Sequence, residues 1–299
     1  VLLASLFYIP NTYREYSEPL PEVYTMSLRE QSARIERWAA EIPIDIQRIA
    51  TVLIPTVLII AAETALFFGS SQQAIWGHII ALLILVSAPI YMDKNIRIVQ
   101  AFLLIPLFRI INLGMPILFN ISLLWYPLIY APLYPGGILI ASMHDVSLFK
   151  DWKFAILAAP LMLPFSALLS GIEYSVITPG ALILDDSITQ VAVIGFIMLF
   201  FVGFVEELLY RAILQRTLRI EIGRIPALII ANVLFGMMHS AYGTPWEIVF
   251  AGSLGLLYGL VYEYRENLIL VTILHGLLNT FLFGIFPLNE TAYALPWAI

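Results

Sequence analysis

Two adjacent glutamates and an arginine shortly after them are the side chains of this sequence best suited to chemistry: Glu206, Glu207 and Arg211. They follow the apolar run 191–205 directly, with no turn signal in between. Ionisable groups are costly in hydrocarbon, so those found at such a depth are functional by default. The alternative is a solvated helix end just outside the membrane, which would hold if no other polar group lay at matching depth.

The spacing predicts different roles for the two carboxylates. On a helix, Glu207 and Arg211 are four residues apart and share a face, so they can form an ion pair. Glu206 points about 100° away from Glu207 and lacks that partner. We therefore predict that Glu207 is anchored and that Glu206 is free to react.

The composition indicates a membrane protein. Of the 299 residues, 61% are hydrophobic and 12% are charged, and the mean hydropathy is +0.90. Apolar runs of this kind are typical of bilayer spans. The absence of cysteine excludes disulfides, thiolate catalysis and cysteine-ligated metals. The net charge of −6, without a basic patch, argues against nucleic acid as a partner.

The predicted fold is all-α, a polytopic transmembrane helix bundle of eight or nine spans with an N-terminal amphipathic surface helix. The proline-rich region 98–142 could hold two kinked spans or a re-entrant piece, which leaves the number open. The predicted spans are 49–68, 74–91, 98–118, 121–141, 154–177, 188–218, 225–241, 248–262 and 268–286.

The sequence is predicted to divide into two regions. Residues 1–48 are expected to be a cytoplasmic or interfacial segment, in which 27–41 either form an amphipathic helix on the membrane surface or an ordinary cytoplasmic stretch. Residues 49–299 are expected to form a single transmembrane domain, since no linker or tandem repeat interrupts them.

Basic residues near the span ends predict the orientation. If nine spans are real, these residues occur at every second joint, and the alternate joints 69–73, 178–187 and 240–247 carry none. The positive-inside rule then places the basic joints in the cytoplasm of a multi-pass cell-membrane protein.

Further polar residues are predicted to meet Glu206. Glu206 precedes the joint 220–224 by about 14 residues and His239 follows it by about 15, roughly 20 Å along a helix for each. His275 and Asn279 lie about 8 and 12 residues beyond the next basic joint, roughly 12 to 18 Å. We therefore expect these four side chains to converge in the cytoplasmic half of the bilayer, in a site facing the cytoplasm.

Other polar and small residues are given structural roles. A single histidine in an apolar helix is more often a hydrogen-bonded core residue than a catalyst, and an asparagine there can simply join two helices. We predict close helix packing at Gly252, Gly255 and Gly259. We predict structural roles or pairing within the bundle for Glu63, His78, Arg109, His144 and Glu173.

Three motifs resemble those of the CAAX prenyl protease type II and bacteriocin-processing superfamily, also called the Abi family, which includes the Ras-converting CAAX endopeptidases. The resemblance covers about 188–284, and the region before it gives no match. The motifs are Glu206-Glu207-x-x-x-Arg211, Phe235-x-x-x-His239 and His275-x-x-x-Asn279.

The residue types suit hydrolysis of a peptide bond by an activated water. Glu206 would take the proton from water, and His239 would share that water and pass a proton to the leaving amine. His275 and Asn279 would donate hydrogen bonds to the oxyanion, each worth about 3 to 4 kcal/mol. Glu207 and Arg211 would hold the helix, or bind the carboxyl end of the substrate. The resemblance implies the same assignment, for a glutamate-type intramembrane endopeptidase without cofactor or metal.

Alternatives remain at this stage. Motifs typical of zinc, aspartyl and serine proteases are absent, but Glu206, His239 and His275 could supply three ligands to zinc. The same polar cluster could also serve a transporter or proton relay, or belong to a non-catalytic immunity or binding protein. The resemblance implies a peptide or protein substrate within the lipid bilayer, for which a prenylated Cys-a-a-X tail is the best-known candidate.

Overall fold

A computed structural model describes residues 46–91, 94–115 and 123–288, so the predicted surface helix at 27–41 lies outside it. All regular elements within those ranges are helical, which confirms the all-α prediction. Extension of the domain to residue 299 stays a prediction. The helices are α1 Ile46–Phe67, α2 Ser71–Tyr91, α3 Ile96–Gly114, α4 Trp125–Tyr130, α5 Leu133–Met143, α6 Trp152–Ile177, α7 Ile188–Ile222, α8 Arg224–Met237, α9 Pro245–Arg265 and α10 Leu268–Leu288.

Eight of the described helices are long and apolar enough to cross a membrane, all except α4 and α5. Of the alternatives for 98–142, the structure departs from a continuous span over 121–141 and agrees with an interrupted segment, because two short helices occupy 125–143. Pro127, Pro132 and Pro135 explain the break, since each removes a backbone N–H donor and disfavours a continuous helix.

The broken segment nevertheless returns the chain to the end of the bundle where α3 begins. Arg97, at the start of α3, lies 3.5 Å from the carboxylate of Asp145, just after α5. Arg216 Nη1 donates to the carbonyl oxygen of His144 at 2.6 Å. These contacts place the start of α3, the end of α5 and the last turns of α7 at one level.

The basic joints meet at that same end, which we call the basic end. Ion pairs join its helix ends and loops: Arg48 to Glu221 at 3.7 Å, Lys150 to Glu266 at 3.2 Å and Arg219 to Glu263 at 3.3 Å. The sequence predicted that these residues share one side of the membrane, and their contacts agree. That this side is the cytoplasm stays a prediction.

Local signals fix where the site-bearing helices begin and end. Gly223 separates α7 from α8 with φ 91°, a backbone conformation that glycine adopts without strain. The Asn267 side chain accepts a hydrogen bond from Leu270 N at 3.0 Å, which caps the start of α10. Pro245 at the first turn and the side chain of Thr244 begin α9.

The helices that carry the site approach one another closely at glycines. A Cβ on Gly276 of α10 would lie 2.7 Å from the backbone of Leu199 on α7, and one on Gly203 of α7 would lie 3.0 Å from Thr272 O. Only glycine permits α7 and α10 to lie this close. Residues carried on the two helices can therefore come into direct hydrogen-bond contact.

The three glycines of α9 also face neighbouring helices, as predicted. The nearest atoms to a Cβ on Gly252, Gly255 or Gly259 would lie 3.5, 3.0 and 2.7 Å away. The close contacts of Gly255 and Gly259 are with side chains of α7 and α8, so α9 packs directly over the buried polar groups of α7.

Helix α7 departs from regular α geometry around the two glutamates. It is π-helical over Met198–Gly203 and again over Leu208–Gln215, with one α-helical turn, Phe204–Glu207, in between. A π-helical turn holds more residues than an α-helical one, and such turns are frequent at functional sites.

Candidate active site

One cavity of about 520 Å³ is lined by the four side chains that the sequence predicted to meet: Glu206, His239, His275 and Asn279. Glu206 comes from the α-helical turn of α7, His239 from the residue pair that follows α8, and the other two from successive turns of α10. The convergence argued from joint distances is thus observed. The catalytic role of these residues stays a prediction.

Of the two adjacent glutamates, Glu206 is the one that faces the cavity. Its Oε1 accepts a hydrogen bond from the Tyr130 hydroxyl, and its Oε2 lies 3.8 Å from His275 Nε2. In the described part of the chain, no lysine or arginine forms an ion pair with Glu206. The expectation that Glu206 lacks the arginine partner therefore agrees with the contacts, and Oε2 is the oxygen available to react.

Glu207 is fully buried and has two partners. Its Oε2 accepts from Arg211 Nε at 3.0 Å, as the spacing predicted, and its Oε1 lies 2.8 Å from His275 Nδ1. Because an ionised carboxylate only accepts hydrogen bonds, Nδ1 must carry the proton. Glu207 thus fixes the tautomer of His275 and directs Nε2 towards Glu206.

The contact between Glu207 and His275 was not foreseen. The sequence spacing relates residues on one helix, but these two lie on α7 and α10 and are 68 positions apart. The close glycine crossing of the two helices brings them together.

Arg211 is buried and stands outside the lining of the cavity. Its Nη1 donates to Asn232 Oδ1 at 2.9 Å, and its guanidinium stacks 4.7 Å from the centre of the Phe235 ring. It holds the helices together in this arrangement. The suggestion that it receives the carboxyl end of a substrate conflicts with this burial.

His239 lies just past the end of α8. Its Nδ1 donates to the carbonyl oxygen of Phe235 at 3.0 Å, which leaves Nε2 as the acceptor of the neutral ring. The Tyr242 ring stacks on it, with centres 6.3 Å apart. His239 therefore has one nitrogen fixed by the backbone and one available for water or a proton.

Several residues that line the cavity were missed or were given only structural roles. Tyr130 was missed, because it lies in the segment predicted to be a continuous span and an aromatic residue there carries no distinguishing signal. Arg109 pairs with Glu63, as predicted for charges within the bundle, and also lines the cavity. Glu173 lines it too, but its neighbour is a second buried carboxyl, Glu247, rather than a base.

The cavity reaches the end of the bundle opposite the basic end. Its lining includes residues 179–182 and 241–242, both in joints without basic residues, and the late turns of α3 and α6. His275 and Asn279 line it from α10, about 8 and 12 residues beyond the basic joint 263–267. That the site faces the cytoplasm stays a prediction.

In the part of the chain that the structure describes, no arrangement of side chains supports the zinc alternative. There, no three histidine, aspartate or glutamate side chains are grouped so as to hold a metal ion. Independence from metal stays a prediction to be tested by chelation.

A comparison with known proteins identifies the region that carries the site. Residues 188–281 match the family model described as Type II CAAX prenyl endopeptidase Rce1-like. No curated protein and no solved structure matches the chain. The match confirms the resemblance over α7 to α10, includes all seven named residues of the three motifs, and supports a protease in general.

Proposed function

We propose that this multi-pass membrane protein is an intramembrane endopeptidase in which Glu206 activates the water that hydrolyses a peptide bond. The observation that carries the proposal is the cavity that unites Glu206, His239, His275 and Asn279. The match over residues 188–281 adds that this part of the chain resembles a protease family.

In the proposed reaction, Glu206 Oε2 takes a proton from water as the oxygen bonds to the carbonyl carbon of the scissile peptide. Tyr130 holds the other carboxylate oxygen, Oε1, and so orients the base. His239 Nε2 accepts a hydrogen bond from the same water. When the C–N bond breaks, the proton passes by way of His239 to the leaving nitrogen, which departs as an amine.

His275 and Asn279 are proposed to stabilise the oxyanion that forms on the carbonyl oxygen. Asn279 lies one helical turn after His275 on the same face of α10, and both line the cavity. Nε2 of His275 is a donor to the oxyanion only when the ring carries both protons, with Nδ1 donating to Glu207 Oε1 at 2.8 Å. Glu207 would therefore act through His275.

The substrate is proposed to be a peptide segment that enters from the bilayer. A prenylated Cys-a-a-X tail is one candidate, supported by the description of the matching family. Cleavage of peptides with and without the prenyl group separates this candidate from a general intramembrane endopeptidase.

The direct test is cleavage of a farnesylated C-terminal peptide by purified protein, before and after exhaustive chelation. We expect turnover to survive chelation and to be lost in Glu206→Gln, since an amide of the same shape cannot accept the proton. His275→Ala and Asn279→Ala should lower kcat by about 100- to 1,000-fold with little change in KM, because they act on the oxyanion.

Two results would contradict this mechanism. Activity that disappears on chelation and returns with zinc alone would make Glu206, His239 and His275 metal ligands. Failure of the wild-type protein to cleave any peptide, prenylated or not, would favour the transporter or immunity alternatives.

A further inference from the structure

A buried ionic network connects α1, α2 and α3, in the part of the chain that precedes the family match. Glu63 Oε1 accepts from Arg109 Nε at 2.6 Å, and His78 Nε2 lies 3.0 Å from the same oxygen. Glu63 Oε2 accepts from Arg109 Nη2 and from Ser240 Oγ, the latter at 2.6 Å. Glu63, His78 and Ser240 are fully buried, and Arg109 is 4% exposed.

The network holds the residue before His239 and the residue after it. On one side, Arg109 Nη2 donates to the carbonyl oxygen of Met238 at 2.7 Å. On the other, the Ser240 hydroxyl donates to Glu63. His239 therefore lies between two anchored neighbours that are tied to the same ion pair.

His239 lies where the regular helix has already ended. Helix α8 ends at Met237, and His239 has φ −95° and ψ 7°, outside helical geometry. The chain then makes a single 3₁₀ turn, Ser240–Tyr242. Phe235 O holds one ring nitrogen, but short 3₁₀ turns have poorer hydrogen-bond geometry than α-helix, so the position of the backbone that carries the imidazole also depends on contacts from outside this segment.

Stability alone gives a weak reason to keep such a network. Apolar residues that replace a buried ion pair often leave stability unchanged or raise it by about 1 to 4 kcal/mol. Substrate binding gives a weak reason too, because Arg109 contacts the cavity but is already neutralised by Glu63 through two nitrogens. Positioning of a catalytic group is a stronger reason to keep the network, since a 1 Å displacement of such a group can cost roughly 100-fold in rate.

We propose that Glu63, Arg109 and Ser240 are positioning residues that direct His239 Nε2 towards Glu206. The proposal rests on the proposed endopeptidase function and assigns a role in catalysis to α1 and α3, outside the family match. His78 supports Glu63 from α2 in the same network.

The sharpest test compares two single hydroxyl deletions. Ser240→Ala removes the bond to Glu63, and the control Thr217→Val removes a buried bond of similar length, 2.8 Å from Thr217 Oγ1 to His144 Nδ1, far from the cavity. We expect Ser240→Ala to lower kcat roughly 10- to 100-fold with KM unchanged. Thr217→Val should leave kcat unchanged, and the two melting temperatures should fall alike.

A charge-neutral double variant, Glu63→Gln with Arg109→Met, removes the ion pair without stranding a buried charge. It should lower kcat as much as Ser240→Ala does. Equal kcat values in Ser240→Ala, the double variant and Thr217→Val would overturn the proposal.

A second readout does not depend on activity. The chain has four histidines, so ¹⁵N-histidine labelling gives a small set of ring signals in detergent micelles. We expect Ser240→Ala to shift the His239 ring nitrogens and Thr217→Val to leave them in place. An unchanged His239 signal in Ser240→Ala refutes positioning, whereas a shifted signal in a protein without protease activity upholds the anchor and refutes only the proposed function.

Discussion

The two adjacent glutamates occupy different environments in spite of their proximity. Glu206 has a tyrosine hydroxyl on one oxygen and the cavity on the other side. Glu207 is fully buried between Arg211 and His275. The structure therefore supports a reactive role for the first carboxylate and an orienting role for the second.

Removal of Arg211 should harm the fold more than the chemistry. Arg211→Ala leaves Glu207 as a buried carboxylate without its cation, and breaking a buried pair costs about 3 to 5 kcal/mol. We expect a large fall in melting temperature, with cleavage by the remaining folded protein reduced much less. A variant of normal stability that had lost only turnover would instead place Arg211 in the substrate site.

Replacement of Glu207 by glutamine should be milder than the same change at Glu206. The amide oxygen can still accept from His275 Nδ1, so the orientation of the ring is kept, whereas the base at Glu206 has no substitute. Measured kcat values should fall in the order wild type, Glu207→Gln, Glu206→Gln. The reverse order of the two variants would make Glu207 the base.

His144 gives a prediction for stability against pH. It lies just beyond α5, with Nδ1 bonded to Thr217 and Nε2 to Gln100. Burial, helped by the nearby Arg97 and Arg216, lowers the pKa of His144 from 6.5 to about 4. A group with a lowered pKa stabilises the fold above its unfolded pKa, and this contribution is lost as the pH falls through its folded pKa.

The melting temperatures of wild type and His144→Gln should therefore converge as the pH falls from 6.5 towards 4. The carboxyl groups that titrate in this range are common to both proteins, so the difference isolates His144. A constant difference across this range would show that His144 is protonated in the folded state.

At the scale of elements, the crossing of α7 and α10 decides whether the site exists. Gly203 and Gly276 allow the approach that joins Glu207 to His275. The π-helical stretches on both sides of Phe204–Glu207 change the directions of the side chains along α7. The geometry of the site thus depends on two irregular features of one helix.

A methyl group at this crossing should disrupt it. In Gly276→Ala the new Cβ would lie 2.7 Å from Leu199 Cα, whereas in Gly252→Ala the nearest atom would be 3.5 Å away, an ordinary contact. We expect Gly276→Ala to lose both melting temperature and cleavage, and Gly252→Ala to keep both. Equal behaviour of the two variants would mean that α7 and α10 can separate without loss of the site.

At the scale of the whole molecule, the sequence makes two predictions about sides of the membrane. The basic joints are expected in the cytoplasm, and the cavity is expected to face the cytoplasm. The lining of the cavity reaches residues 179–182, at the end of the bundle opposite the basic joints, and also His275, about 8 residues beyond the basic joint 263–267. The side of the membrane that holds the basic joints and the side to which the cavity opens are therefore two predictions with separate tests. A Cys-a-a-X tail in the cytoplasm requires a cavity that opens to the cytoplasm.

Cysteine labelling measures the orientation directly, since the chain has no cysteine of its own. By the positive-inside rule, Gly223→Cys at the basic end should react with a membrane-impermeant reagent only after lysis, and Gly180→Cys beside the cavity in intact cells. The opposite pattern would show that the basic residues do not set the orientation and that the Gly180 side of the cavity faces the cytoplasm.

The sequence by itself determined the fold class, most of the spans, the pairing of Glu207 with Arg211 and the convergence of Glu206, His239, His275 and Asn279. Hydropathy and helical spacing are local properties, and short joints force successive helices to lie antiparallel, so depth can be counted along the chain. Only the tertiary structure decided that Glu207 orients His275, that Tyr130 holds Glu206 and that Glu63 anchors the segment around His239. These contacts join residues 68, 76 and 177 positions apart, and helix packing, which no local pattern encodes, creates them.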